Sequence, residues 1–315
     1  MRPTRFHRGI LGRVAIATLL SFSSLGFCSS VEAADPLQVV TTTPDLADLA
    51  RTIGGDEVTV KSLTKGTEDF HAVRPRPKLL IALSKADVLI QIGLDLEHAW
   101  LPALVQSARN KRIKPGTSGW ITASAGIEAM EVPEHVHRKD GPDVHPKGNP
   151  HINLSPVRAQ MMAENILEGL CRAAPDRADT FRARHADWKR AWTSKLADWK
   201  SRLAPLRGAA LIEFHQSWTY FADYFGLRIV ARLEPKPGVS PSARHLSGVV
   251  ETGKKEKVGV IIARPANADI AKKVAKEIGA TPLILPLAST TKGEYEGYEA
   301  FFEKVVTRLE TNLKK

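Results

Sequence analysis

Cysteine is nearly absent: Cys28 and Cys171 are the only two in 315 residues. Two thiols cannot frame a disulfide-stapled scaffold, so the fold must rest on a hydrophobic core. Long apolar runs are missing too. Beyond the first thirty-odd residues no segment has the unbroken length of about 20 apolar residues that a spanning helix needs. Aromatic residues are few, at 6%, and they never interleave with a basic stripe. The formal charge is +11, yet lysines and arginines mix with acids along stretches such as Arg177 to Arg202, the pattern of a solvated surface. These features argue against a nucleic-acid partner. The helical zinc-hydrolase signature HExxH is also missing.

What is present begins with an export leader. Arg2, Arg5, Arg8 and Arg13 make a basic start, Val14 to Phe27 is apolar and small, and Val31-Glu32-Ala33 is a small-x-small cleavage site. Residues 1–33 are therefore expected to be a signal peptide cleaved near Ala33, with the periplasm as destination. Phe27 stands where lipidation of Cys28 would need a small residue, so soluble export is preferred. Removal of the four arginines and Glu32 brings the charge to +8 and leaves Cys171 as the lone thiol.

About 280 residues remain, more than one core usually serves. Leu37 to Thr42, Glu57 to Leu63 and Asp87 to Ile92 read as strands, with helices at Asp45 to Ile53, Lys78 to Lys85 and Leu96 to Ser107. The second half repeats the rhythm. Its strands are Ala209 to Phe214, Leu227 to Arg232, Val258 to Ala263 and Leu283 to Leu285. Its helices lie near Ser217 to Phe225, Ala243 to Gly253, Ala268 to Ile278 and Tyr298 to Leu313. Alternation of this kind implies parallel sheets covered on both faces. The expected organisation is an α/β fold of two (β/α) lobes: residues 34–155, a helical connector 156–204, and residues 205–315. Pro175 divides the connector, and Asp176 is expected to cap its second helix. Phe181, Trp188, Trp192, Leu196, Trp199 and Leu203 then make one apolar stripe, expected to pack on both lobes and hold them nearly fixed.

Three histidines stand at element boundaries. His71 follows Glu68-Asp69-Phe70 and precedes Arg74-Pro75-Arg76-Pro77. His151 lies within Asn149-Pro150-His151-Ile152-Asn153-Leu154-Ser155-Pro156. His215 ends a strand and opens an aromatic helix. Ligands of two-domain α/β proteins sit beyond the carboxyl ends of strands, so the three imidazoles are expected to converge on one metal ion in a cleft.

These segments resemble the zinc- and manganese-type metal-binding solute-binding proteins of bacterial ABC importers. The likeness rests on Glu68 to Pro77, Asn149 to Pro156, His215 to Phe221, and Ile92-Gly93-Leu94-Asp95-Leu96-Glu97 with Trp100-Leu101, and it runs nearly the whole mature chain. It implies two lobes joined by a rigid helix, metal in the cleft between them, and delivery to a membrane permease driven by an ATPase. By position it implies His71, His151 and His215 as ligands; histidine at the third place resembles the zinc-binding members. The expected role is that of a monomeric carrier, not an enzyme, with Zn2+ as cargo and Mn2+ as the alternative.

One departure matters. Many family members place an acid after the last strand of the second lobe, where this chain reads Leu285 to Thr291 with none. Glu234, Glu294, Glu296, Glu299 or a water are the candidates for a fourth ligand. A further group, Glu134-His135-Val136-His137 and Asp143-Val144-His145, reads either as a weak metal-capturing loop or as a polar loop. Three histidines plus water is also the plan of a catalytic zinc, so a secreted zinc hydrolase is the rival reading, as is a metal-buffering surface protein.

Overall fold

A computed structural model gives the fold and describes residues 35–135, 141 and 143–313, with Met1, Pro3 and Thr4. By its contacts the chain divides into Met1–Ala34 and Asp35–Lys315, and every element named here belongs to the second unit. The expected leader, with Cys28, lies almost wholly outside the described residues, as does His137. Among the described residues no helix is long and apolar enough to cross a membrane.

Two four-stranded sheets form the frame. The first holds β1 (Leu37–Thr41), β2 (Val58–Ser62), β3 (Val88–Gln91) and β4 (Trp120–Thr122) in the order β2-β1-β3-β4. The second holds β5 (Ala210–Glu213), β6 (Arg228–Arg232), β7 (Val260–Ala263) and β8 (Thr281–Ile284) in the order β6-β5-β7-β8. All pairings are parallel. Both sheets therefore reverse direction beside their first strand, where loops leaving the strand ends part and open a crevice. Side chains alternate between the two faces. Val39, Val88 and Ile90 join a central core with Leu211, Val260 and Ile262 of the other sheet. Val40 and Leu89 face an outer layer, as do Ile212 and Ile261.

The helices supply the cover that parallel sheets require. α1 (Pro44–Gly54) buries its Leu46, Leu49, Ala50 and Ile53 stripe in the central core. α2 (Pro77–Lys85) and α3 (Leu101–Ala108) pack on the outer face of the first sheet. α4 (Ala159–Ala173) and α5 (Ala178–Leu203) follow. α6 (Thr219–Phe225) adds Tyr220, Phe221 and Phe225 to the centre. α7 (Ala243–Lys255) and α8 (Ala268–Ile278) cover the second sheet, and α9 (Tyr298–Leu313) returns to the central core.

α5 has 26 residues, roughly 40 Å at 1.5 Å per residue. Phe181, Trp192, Leu196, Trp199 and Leu203 are buried along it, as the stripe predicts. Each indole has a partner: Trp192 Nε1 donates to Pro156 O at 2.7 Å and Trp199 Nε1 to Glu303 at 2.9 Å. Just before the helix, Arg177 donates to the carbonyls of Glu57 and Asp35, and within its first half Arg184 donates to that of Gly54. At its other end Arg202 binds Glu303, Glu310 and Thr307 of α9. The connector is thus pinned at both ends. A second tie runs between the sheets through Asp45 of α1, which accepts from Asn153 Nδ2 at 2.8 Å and from Ser289 N at 2.7 Å. Gly66 makes the approach possible: at φ +91° a Cβ there would lie 2.0 Å from Ser289 O.

Four local expectations need correction. Asp176 is not a cap; Pro175–Arg177 forms a 3-10 turn, and Arg177 precedes α5 without a side-chain cap bond. α3 starts at Leu101, not Leu96, because the buried Glu97 carboxylate accepts from Ile92 N, Gly93 N and Thr42 Oγ1 and holds the preceding residues in a tight loop. β8 begins two residues earlier than expected, at Thr281. β4 was not anticipated, since three residues are too few for alternation to register.

Candidate metal centre

Three separate elements deliver the three histidines. His71 lies in the loop between β2 and α2, His151 directly precedes the 3-10 turn Ile152–Leu154, and His215 is two residues beyond β5. Each offers one ring nitrogen, and these atoms all lie within 4.8 Å of one another. Ring centroids are 5.1–5.3 Å apart. The side chains are buried, at 5%, 2% and 9% exposed.

In each ring, Nδ1 is tied to an oxygen. Nδ1 of His71 lies 3.0 Å from Asp69 Oδ1, that of His151 2.9 Å from Asn149 Oδ1, and that of His215 2.7 Å from Glu234 Oε2. A carboxylate can only accept, so His71 and His215 donate from Nδ1, and in the neutral tautomer the lone pair is left on Nε2. Asn149 is fixed in the same sense because its Nδ2 donates to Glu131 at 2.7 Å and to Gln216 O at 3.1 Å. Nε2 of His71 and of His151 is buried with no hydrogen-bond partner among the described residues. Buried polar atoms are almost always satisfied, and bare, converging imidazole nitrogens suit a metal ion. Oxygen acceptors behind ligand histidines fix ring orientation and raise basicity.

Asp69 and Asn149 stand two residues before their histidines and also accept the histidine backbone N–H, at 3.0 and 2.9 Å. That Asx-x-His turn locks ring and backbone together and was readable in the sequence. Other supports were not. Arg264, from the second sheet's loops, donates to Asp69 at 2.7 Å. Arg232 donates at 2.7 Å to Glu131, which holds Asn149. Burial alone would raise the Asp69 carboxyl, but the His71 hydrogen bond and the Arg264 charge keep it well below the usual range. Burial, then His215 and His71, hold His151 neutral far below 6.5.

A cavity of about 510 Å³ opens over the cluster, lined by His145, His151, His215, Glu131 and His135 among others. The acids expected near the site are otherwise engaged. Glu234 faces Nδ1 of His215, Glu294 pairs with Arg308, and Glu299 pairs with Lys195. Glu296 meets Thr290 through the backbone. Glu213, the nearest acid in sequence to His215, is fully buried and accepts from Ser217 N, Trp218 N and Arg232.

Residues 39–312 match the model of ZnuA, the periplasmic component A of the zinc-uptake complex. The chain belongs to this family. ZnuA-family members and their structural neighbours are metal-binding solute-binding proteins rather than enzymes. The zinc-binding lipoprotein AdcA of Streptococcus pneumoniae is 28% identical over 91% of this chain, which spans only 56% of AdcA's length. The iron-binding protein YfeA of Yersinia pestis is 28% identical, covering 85% of this chain and 82% of YfeA. A ZnuA crystal structure superposes with a TM-score of 0.75 at 26% identity, over 89% of this chain and all of that one. The two parallel four-stranded lobes joined by a long helix are the fold of that structure.

Proposed function

We propose that this protein captures a divalent metal ion, Zn2+ as its best-fitting cargo, on His71, His151 and His215, and delivers it to an ABC permease from the periplasm. The supporting observation is the convergence of three buried ring nitrogens within 4.8 Å, each ring tied back through Nδ1. Three imidazoles favour zinc over manganese, which prefers oxygen. AdcA, named for zinc, supports that choice; YfeA, named for iron, marks the alternative. Copper binds nitrogen sites more tightly still, so cargo is set by supply as well as by affinity. Export follows from the leader expected in residues 1–33, and the carrier acts as a monomer. A zinc hydrolase is disfavoured because Glu213 is locked by its own hydrogen bonds.

Metal analysis of the mature chain after chelation and zinc reloading tests the reading. One tight equivalent per chain, lost on replacing His71, His151 or His215 with Ala, is expected. A chain with no tight equivalent is not a metal carrier.

A further inference from the structure

The three histidines are not oriented independently. Glu234, which faces Nδ1 of His215, stands two residues beyond β6 and so belongs to the second sheet, as His215 does. His71 lies in a loop of the first sheet and His151 just ahead of the connector, yet the residues behind both are gripped from the second sheet. The Asp69 carboxylate divides its oxygens. Oδ1 accepts the backbone N–H and the Nδ1 of His71, each at 3.0 Å, and Oδ2 accepts from Arg264 Nη1 at 2.7 Å. Arg264 is the first residue after β7, and its Nε donates to Asn267 Oδ1 at 2.8 Å, which fixes the direction of the guanidinium. Behind His151, Asn149 donates to Glu131, whose other oxygen accepts from Arg232 at 2.7 Å. Arg232 ends β6 and is anchored at 2.7 Å on the fully buried Glu213. All three rings are thus oriented from the second sheet, directly or through an arginine.

Within the Asp69–His71 turn, chain position and ring direction have different anchors. Phe70 O accepts from Trp100 Nε1 at 2.8 Å, a bond made within the first lobe, so the chain stays in place whatever the second lobe does. Asp69 Oδ2 has only Arg264 as a partner among the described residues. The two side chains are 24% and 31% exposed, so water screens their attraction and the pair is worth little as a bare ion pair. Its value is directional. It sets the plane of the carboxylate, and the carboxylate sets the His71 ring. Arg232 makes the same kind of link to His151, but its removal would leave Glu213 buried without its cation, so Arg264 is the residue that isolates the effect.

We propose that Arg264 is a cross-lobe latch on the metal site: by gripping Asp69 it makes the orientation of His71 conditional on the position of the second lobe, so that one tilt of that lobe withdraws His215 and frees His71 together. This rests on the reading of His71, His151 and His215 as the cargo site. A connector pinned at both ends leaves room for small tilts only. The Arg264–Asp69 bond is 2.7 Å long, and such a bond is lost by about 3.5 Å. A displacement of about an ångström therefore opens the latch. Asp69 is then free to turn, the His71 ring loses its fixed direction, and the ion is left with fewer aligned donors. Tight holding in one position and quick release after a small movement come from the same residues.

Stopped-flow release of zinc from the loaded mature chain into excess chelator tests this. Groups that hold a ligand histidine are typically worth about 10–100-fold in affinity, so Arg264→Ala is expected to speed release about tenfold, and Asp69→Asn at least as much. In an Asp69→Asn background Arg264→Ala should change the rate by less than about twofold, because the latch has nothing left to hold. Arg264→Gln, which keeps the stem, gives the same comparison should alanine disturb the fold. In the metal-free protein, hydrogen exchange should quicken in the Asp69–His71 segment of Arg264→Ala, where the His71 N–H donates to Asp69, and not in α1. Equal effects of Arg264→Ala in both backgrounds would mean general loosening and overturn the latch. An unchanged release rate overturns it as well. So does a slower one: a carboxylate freed from Arg264 polarises Nδ1–H more strongly and makes His71 a better donor, which is the opposite sign. If His151→Ala keeps the tight equivalent, the cargo-site reading fails separately, and the exchange measurement, which needs no metal, still decides whether Arg264 holds Asp69.

Discussion

Replacing Asn149 with alanine removes one side chain that touches no ion in this account yet sets the orientation of His151. Four hydrogen bonds vanish together: two accepted from His151, through its backbone N–H and Nδ1, and two donated, to Glu131 and to Gln216 O. At a net value of about 1 kcal/mol each, Asn149→Ala should cost the metal-free protein roughly 3–4 kcal/mol. Loss of such an acceptor behind a ligand histidine typically lowers metal affinity 10–100-fold, about 1.4–2.8 kcal/mol. Competition against a chelator of known zinc affinity reads the second effect, and circular dichroism confirms that the variant is folded. Asn149→Asp separates the parts. It keeps the oxygen facing His151 but repels Glu131, so it should bind zinc better than Asn149→Ala. A folded Asn149→Ala protein with natural zinc affinity refutes the proposed orientation of His151.

Other outcomes follow from the same geometry. Zinc at a thousand times its dissociation constant should stabilise the natural chain by about 4 kcal/mol; His71→Ala, His151→Ala and His215→Ala should each lose most of the resulting rise in melting temperature, whereas a combined His135, His137 and His145 alanine variant should keep it. Burial lifts the Asp45 carboxyl from 3.8 to about 7. Between those values the native state therefore holds a proton that the unfolded chain has released, and metal-free stability should fall as pH rises through that window, by up to about 1.4 kcal/mol per pH unit. Asp45→Asn should flatten that part of the chemical-denaturation profile, and an unchanged slope would assign it to other groups. Because α5 is anchored at both ends, small-angle scattering should give nearly equal radii of gyration with and without zinc, with hydrogen exchange slowing in the loops around His71, His215 and Glu234; strong compaction would make the connector a hinge.

The strands were legible as short apolar or β-branched runs, such as Val88–Gln91 and Val260–Ala263, buried on both faces, and the helices by apolar residues repeating at about 3.6. Tyr298 to Leu313 and Ala268 to Ile278 fall where the pattern places them. The start of α3 was not legible, because it is set by a buried Glu97 whose hydrogen bonds reach Thr42, 55 residues away. At the site, the spacing of His71, His151 and His215 from strand ends suggested convergence, and the fold brings them together. Asp69 and Asn149 could have been found from their place two residues upstream. Arg264 could not, since its contact with Asp69 spans 195 residues and depends on how the sheets face each other.

Zinc K-edge X-ray absorption on the mature chain, loaded with one equivalent of zinc, tests the central claim most directly. The account predicts at least three imidazole nitrogens at about 2.0–2.1 Å, with one fewer after any of His71→Ala, His151→Ala or His215→Ala that still retains metal. A shell dominated by oxygen, or the same imidazole count in all three variants, would contradict it.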